Sequence, residues 1–239
     1  MRIAAPCLML LACGDDPAPM VRVEPGTFMI GCNEALDTLC RGDEVPYHAV
    51  TLSAFEIDET EVTQARYAAC VDDGACTPPV GGFDPSATPE LPVVFVDWTQ
   101  ADAYCRWVDR RLPTEAEWEA AARGSDGRLY PWGNNVPDCS LANVMGCGDA
   151  TQPVGSYPAG ASEYGALDMA GNAMEWVADF YDAAYYAVSP AIDPQGPDAG
   201  DYHVKRGGSF MGDPQTVRAS YRVEGFPVGL ANLGFRCAR

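Results

Sequence analysis

The chain has 239 residues, enough for one sizeable core and short for two independent domains. Asp and Glu number 34 against 15 Lys and Arg, and the resulting formal charge of −19 repels phosphate backbones, which disfavours nucleic acid as a partner. A hydrophobic content of 47% argues against disorder, while 24 Gly and 20 Pro predict a loop-rich globular fold.

In chain order, Arg2 and the apolar run 3–12 predict a signal peptide over residues 1–12, too short to span a bilayer. It runs into Leu10-Leu11-Ala12-Cys13-Gly14, which resembles a bacterial lipobox. Cys13 is then the lipidated residue, 13–20 a polar tether, and 21–239 the folded domain. This places the protein in the bacterial cell envelope (outer membrane, periplasm or cell surface), held to a membrane by its N-terminal lipid only.

Val21–Cys32 reads as strand and turn, with Pro25-Gly26 as the turn signal, and His48–Ile57 alternates like one strand. Thr63 caps a short helix that places Tyr67, Cys70 and Val71 on one face. Residues 76–90 form a Pro/Gly-rich loop, and Val93–Val96 a short apolar strand. A helix starts near Thr99 with an apolar stripe at Ala101, Tyr104, Cys105 and Val108. Thr114 and Glu117 form a capping box for a helix ending at Arg123-Gly124. From Leu129 onward little helix is expected, and no internal repeat or linker divides the chain.

Ten cysteines point to an oxidising compartment or a metal site. Setting aside Cys7 and Cys13 leaves an even set. Cys32–Cys40, Cys70–Cys76 and Cys139–Cys147 are close pairs, and the remaining Cys105 and Cys237 would tie a helix to the C-terminal segment. No CxxC occurs, which argues against structural zinc. The two histidines, His48 and His203, exclude a multi-histidine metal centre, and each is expected to be superficial or hydrogen-bonded.

Walker, dinucleotide, HExxH and nucleophile-elbow motifs are absent. The segment Asp168-Met169-Ala170-Gly171-Asn172-Ala173-Met174-Glu175 offers two carboxylates around a Gly/Asn turn. Such a turn can aim carboxylates and carbonyls at one hard cation such as calcium; a helix-capping turn is the alternative reading. Arg206-Gly207-Gly208-Ser209-Phe210 follows a strand end. Ser209 lacks a neighbouring base and reads as structural before catalytic.

These segments together resemble the formylglycine-generating enzyme (sulfatase-modifying factor) family. The matching blocks include Pro25-Gly26-Thr27-Phe28, Glu61-Val62-Thr63, Ala103-Tyr104-Cys105-Arg106-Trp107, Arg111-Leu112-Pro113-Thr114-Glu115-Ala116-Glu117-Trp118, Tyr130-Pro131-Trp132-Gly133-Asn134, Asp168 to Trp176, Arg206 to Phe210 and Gly234-Phe235-Arg236-Cys237. They follow the family's order across about residues 21–239.

The resemblance implies an irregular α+β, C-type-lectin-like fold, low in regular secondary structure and stapled by disulfides that include Cys105–Cys237. It also implies calcium. Asp168 and Glu175 would bind by side chain and Gly171 and Ala173 by carbonyl; a second site would use Asn143, the Val144 carbonyl and Asp149. Family enzymes hold copper through two cysteines after the RGGS-aromatic block. Here Gly212 stands at the first position, and no cysteine lies between Cys147 and Cys237. Copper(I) prefers soft thiolates, so copper is not expected. Met174 also replaces a family tryptophan.

The expectation is therefore a binding or accessory module for a protein, peptide or glycan, with contacts at Phe210, Tyr221, Arg222 and Phe226. The alternative is an oxidoreductase of the same family, acting on sulfatases or in a related metal-dependent oxidation, with Ser209, Arg218 and Arg222 around a residual pocket.

Overall fold

The computed structural model describes residues 18–226 and 228–239. The signal peptide and Cys13 lie outside the described residues. Of the expected tether, Ala18 is buried, its carbonyl accepts from Arg110 Nη2 at 3.0 Å, and Met20 already opens a strand. The folded part thus starts ahead of residue 21.

Strand β1 (Met20–Val23) pairs antiparallel with β4 (Phe55–Asp58), and β2 (Gly26–Ile30) with β3 (His48–Leu52). The single strand expected over 48–57 is two strands in two sheets. The cause is a phase slip: Val50 and Leu52 are buried on β3, but Phe55 and Ile57 on β4, so the two-residue alternation must break at Ser53-Ala54.

Three helices follow: α1 (Gln64–Asp72), α2 (Trp98–Trp107) and α3 (Glu115–Arg123). Thr63 caps α1, and Thr114 with Glu117 forms the expected capping box on α3. Helix α2 is capped by Asp97 rather than begun at Thr99; its carboxylate accepts from Gln100 N at 2.8 Å, and Gln100 Oε1 accepts from Asp97 N at 3.0 Å. Residues 93–96 are not a strand. Val93 N donates to Val62 O and Phe95 N to Leu230 O, two different partners, and Phe95 turns through φ 61°.

Beyond residue 129 the regular structure is mostly strand. β5 (Met174–Phe180), β6 (His203–Arg206), β7 (Arg222–Gly225) and β8 (Leu233–Phe235) form one sheet in the order β7-β6-β5-β8, with β8 parallel to β5. Among the described residues no helix is long and apolar enough to cross a membrane.

All the expected disulfides form: Cys32–Cys40, Cys70–Cys76, Cys139–Cys147 and Cys105–Cys237. The last bridges 132 residues of sequence, pinning α2 to the end of β8. Its apolar surroundings are Tyr67, Tyr104, Trp176 and Phe235. A second core lies between α3, the two hairpin sheets and Val177.

Arginines run through this interior. Arg123, Arg206, Arg218, Arg222 and Arg236 are each at most 1% exposed. Helix α3 answers three of them. Glu115 holds Arg222 through both oxygens, at 2.7 and 2.8 Å, and Arg206 at 3.1 Å; Glu119 pairs with Arg206 and Arg123. At the entry to α3, Asp179 Oδ2 accepts from Glu115 N at 2.7 Å. Burial, with the Glu115 charge beside it, raises the Asp179 carboxyl to about 8.

Three outcomes follow for stability. Glu115→Ala strands Arg222 without its counter-ion and should cost about 3–5 kcal/mol by urea denaturation. Arg22→Ala, at an exposed pair with Glu24, should leave the urea midpoint unchanged. Asp179 keeps its proton when folded but loses it when unfolded above about pH 4, so it draws stability down as pH rises toward 8. Asp179→Asn should therefore gain on the wild type steadily across that window in melting temperature, and gain nothing below it.

Candidate functional site

The turn from Asp168 to Glu175 is built by backbone conformations that few residues tolerate. Asp168, Gly171 and Asn172 have φ of 58°, 86° and 51°. A Cβ at Gly171 would lie 2.3 Å from Asn143 O, so only glycine fits this crossing of two chain segments. Asn172 fastens the crossing. Its Oδ1 accepts from Asn143 Nδ2 at 3.1 Å and Gln152 N at 2.8 Å, and its Nδ2 donates to Glu61 Oε1 at 2.9 Å.

The turn gathers negative charge. Glu61, Asp168 and Glu175 are all buried and face a single guanidinium, Arg236. Glu175 takes most of it: Arg236 donates to both its oxygens at 2.7 and 2.8 Å, and Trp118 Nε1 adds a third bond at 2.7 Å. Asp168 accepts from Gly155 N at 2.6 Å. Glu61 accepts from Ala173 N through Oε1, but its buried Oε2 has no partner. Burial, and the charges of Asp168 and Glu175, push the Glu61 carboxyl well up; burial likewise raises Asp168. The carbonyls of Gly171 and Ala173 accept no hydrogen bond from the described residues.

Nearby, Asn143 Oδ1 is also buried without a partner. Val144 is buried, and its carbonyl accepts from Cys147 N at 2.9 Å; Asp149 is exposed at the rim. Buried oxygens with no donor and an excess of carboxylates over cations are what a hard cation satisfies.

The structure brings Asp168, Gly171 and Ala173 to one crossing with Asn143, which the resemblance had assigned to a second site. It engages the Glu175 side chain elsewhere, on Arg236 and Trp118. Glu61 was missed as a candidate. Its signal is an acid wedged between apolar Val62 and the first core segments, immediately ahead of the Thr63 cap.

The block Arg206–Phe210 is structural at its start. A Cβ at Gly208 would lie 2.5 Å from Thr216 O, and Arg206 is locked to α3. Ser209 is buried; its Oγ accepts from Asn232 Nδ2 at 3.0 Å, and no base contacts it among the described residues. The catalytic and ligand-contact roles considered for Arg218 and Arg222 are corrected by their burial. Arg218 is held by Asp37 and Glu44, and Arg222 by Glu115 between the rings of Tyr181 and Tyr186. Neither presents a free donor to solvent.

Phe210 does reach a surface feature. With Met145, Gly146, Gly148, Asp149 and Met211 it lines an open hollow of about 400 Å³. Tyr221 lies instead beneath Arg41, and the exposed Phe226 packs against Tyr202. Both histidines are hydrogen-bonded as expected, His48 to Pro46 O and His203 to the carbonyls of Ala178 and Asp179.

Comparison with known proteins places this geometry in context. The family model for the sulfatase-modifying factor enzyme 1-like domain matches residues 12–239. The formylglycine-generating enzyme of Streptomyces coelicolor is 34% identical, over 100% of this chain and 96% of that protein. The hercynine oxygenase of Mycolicibacterium smegmatis is 32% identical over 87% of this chain, but the match spans only 58% of that enzyme. Among solved structures, PvdO from Pseudomonas aeruginosa superposes with a TM-score of 0.80 at 27% identity, covering 95% of both chains. Treponema denticola variable protein 1 gives 0.73 at 26% identity, covering 92% of this chain and 94% of that one.

The crowding of carboxylates has a measurable consequence. With all divalent metal chelated, Glu61→Gln replaces a carboxyl whose charged form is penalised by burial and by Asp168 and Glu175, and gives Asp168 an amide donor, so its melting temperature should exceed that of the wild type at pH 7.

Proposed function

The chain belongs to the sulfatase-modifying factor family, and on that premise we propose that it is a calcium-stabilised binding or accessory module, lipid-anchored at Cys13 in the bacterial cell envelope. The observation that carries this reading is the pairing of its sulfur atoms. Every cysteine from Cys32 to Cys237 lies in a disulfide, so the folded domain has no thiolate pair to offer copper(I). At Gly212 a Cβ would lie 2.7 Å from Val217 Cγ1 and 2.9 Å from Ser209 O, so the backbone is closely packed where a first copper ligand would stand. The soft donors at the nearby hollow are the thioethers of Met145 and Met211. This set does not fit copper.

Calcium does fit. Glu61 and Asp168 with the carbonyls of Gly171 and Ala173 would hold one ion, and Asn143 Oδ1 with the Val144 carbonyl and Asp149 a second. The ion supplies positive charge that Arg236 alone does not provide. The ligand surface is the hollow around Phe210, where polarizable Met145 and Met211 suit a peptide segment with apolar side chains more than a glycan. Four disulfides support an oxidising, extracytoplasmic location.

A second reading, an oxidoreductase of the family, is favoured by the near full-length likeness to the Streptomyces enzyme. One experiment separates the two. The purified protein is dialysed, its metals are counted, and it is incubated with a Cys-x-Pro-x-Arg peptide and copper under air. Retained calcium, no stoichiometric copper and no aldehyde on the peptide are expected; aldehyde formation would overturn the module reading. Calcium should raise the melting temperature of the wild type and do less for Glu61→Gln. Cys13→Ser should move the protein from the membrane fraction to the soluble fraction.

A further inference from the structure

The sequence contains 34 acids and a single lysine, Lys205. In so acidic a chain a lone lysine has many carboxylates available to it, yet this one forms no ion pair among the described residues. It sits in the middle of β6, a central strand, and its side chain is only 8% exposed. Its Nζ has no hydrogen-bond partner among the described residues and is not sealed from solvent, so the amine reaches water from a residue that is otherwise largely buried.

The surroundings of that tip are aromatic. Lys205 lies directly across from Trp176 on β5 and shares a sheet face with His203, two residues earlier. The imidazole of His203 is stacked between Trp98, at 3.9 Å between ring centroids, and Phe180, at 4.3 Å. Across the strand boundary stands Gly225. A Cβ there would lie 2.0 Å from the Trp176 ring and 2.9 Å from Lys205 Cγ, so the absence of a side chain leaves room for the lysine stem over the indole. The charged groups that act on this face are few. Glu224, on the neighbouring strand, favours the ammonium but is not within ion-pair distance; Asp102, on α2, acts on His203. Burial outweighs the Glu224 charge and lowers the lysine's proton affinity.

We propose that Lys205 is a carbonyl-capturing amine, which condenses with an aldehyde borne on an apolar or aromatic ligand that rests on the Trp98–His203–Phe180 face. The step balances without an oxidant. The neutral amine's lone pair forms the N–C bond at the carbonyl carbon, and the π electrons move to oxygen, which takes a proton. The carbinolamine then loses water, with the nitrogen giving up its second proton, to leave an imine. An ammonium cannot begin this sequence, so an amine that is unpaired and partly desolvated is the form the chemistry requires. The inference is independent of the calcium and copper arguments.

The test uses the full chain with benzaldehyde and cyanoborohydride, which fixes any imine as a stable secondary amine. Adducts are counted by intact mass and located by peptide mapping, so that the α-amino group is told apart from Lys205. The folded protein should acquire one adduct at Lys205 several-fold faster at pH 7 than the same protein unfolded in urea, and its rate should reach its plateau at lower pH. Lys205→Arg should lose the adduct while retaining the wild-type melting profile. Glu224→Gln, which keeps the lysine, should speed labelling further. Folded labelling no faster than unfolded labelling, or adducts spread only to the chain terminus, would overturn the proposal.

Discussion

The constraint on which the rest of this structure depends is the buried pairing of helix α3 with arginines from distant strands. Glu115 and Glu119 point inward, where an ordinary amphipathic helix would place leucines. They meet Arg206 at the end of β6 and Arg222 at the start of β7. Charge pairs of this kind add little net stability over apolar packing, but a displaced partner is costly, so they fix which strand lies against which helix. In a chain with little regular structure, that selectivity holds long loops in one arrangement. Each arginine is also shielded by rings: Arg206 by Trp118, and Arg222 by Tyr181 and Tyr186.

The Asp168–Glu175 turn departs from that pattern, and the departure is what supports the proposal of a cation there. On α3, acids and guanidiniums are matched. At the turn, three buried carboxylates share Arg236, and two side-chain oxygens, Glu61 Oε2 and Asn143 Oδ1, have no N–H or hydroxyl donor among the described residues. The difference between matched and unmatched charge, inside one molecule, is a contrast that stands without appeal to sequence likeness.

Much of this was legible in the residues. Cysteine spacing pointed to the three short disulfides, and the Thr114 capping box to α3, because both are local chemistry with few alternatives; Cys105–Cys237 was the pair left over and the one the resemblance implied. The break between β3 and β4 was hidden because alternation continues on either side of Ser53-Ala54 and only its phase changes. Residues 93–96 looked like a strand by composition, but each backbone group there finds a different partner, which no local pattern encodes. For the site, the turn was visible through its Gly and Asn. Glu61 was not, since it lies more than 100 residues earlier and joins only through Asn172 and Ala173. Arg218 and Arg222 looked like surface anchors because a sequence shows their charge and not the acids that enclose them.

The placement of β8 also bears on how the molecule is made. This strand completes the sheet by lying parallel to β5, about sixty residues upstream, and it delivers Arg236 to Glu175 and Cys237 to Cys105. Until residues 233–237 have emerged from the ribosome, β5 has an open edge, Glu175 is unneutralised and α2 is untethered. The sheet, the Arg236–Glu175 pair and the Cys105–Cys237 bridge therefore close together and late, because all three wait on the same non-local contact.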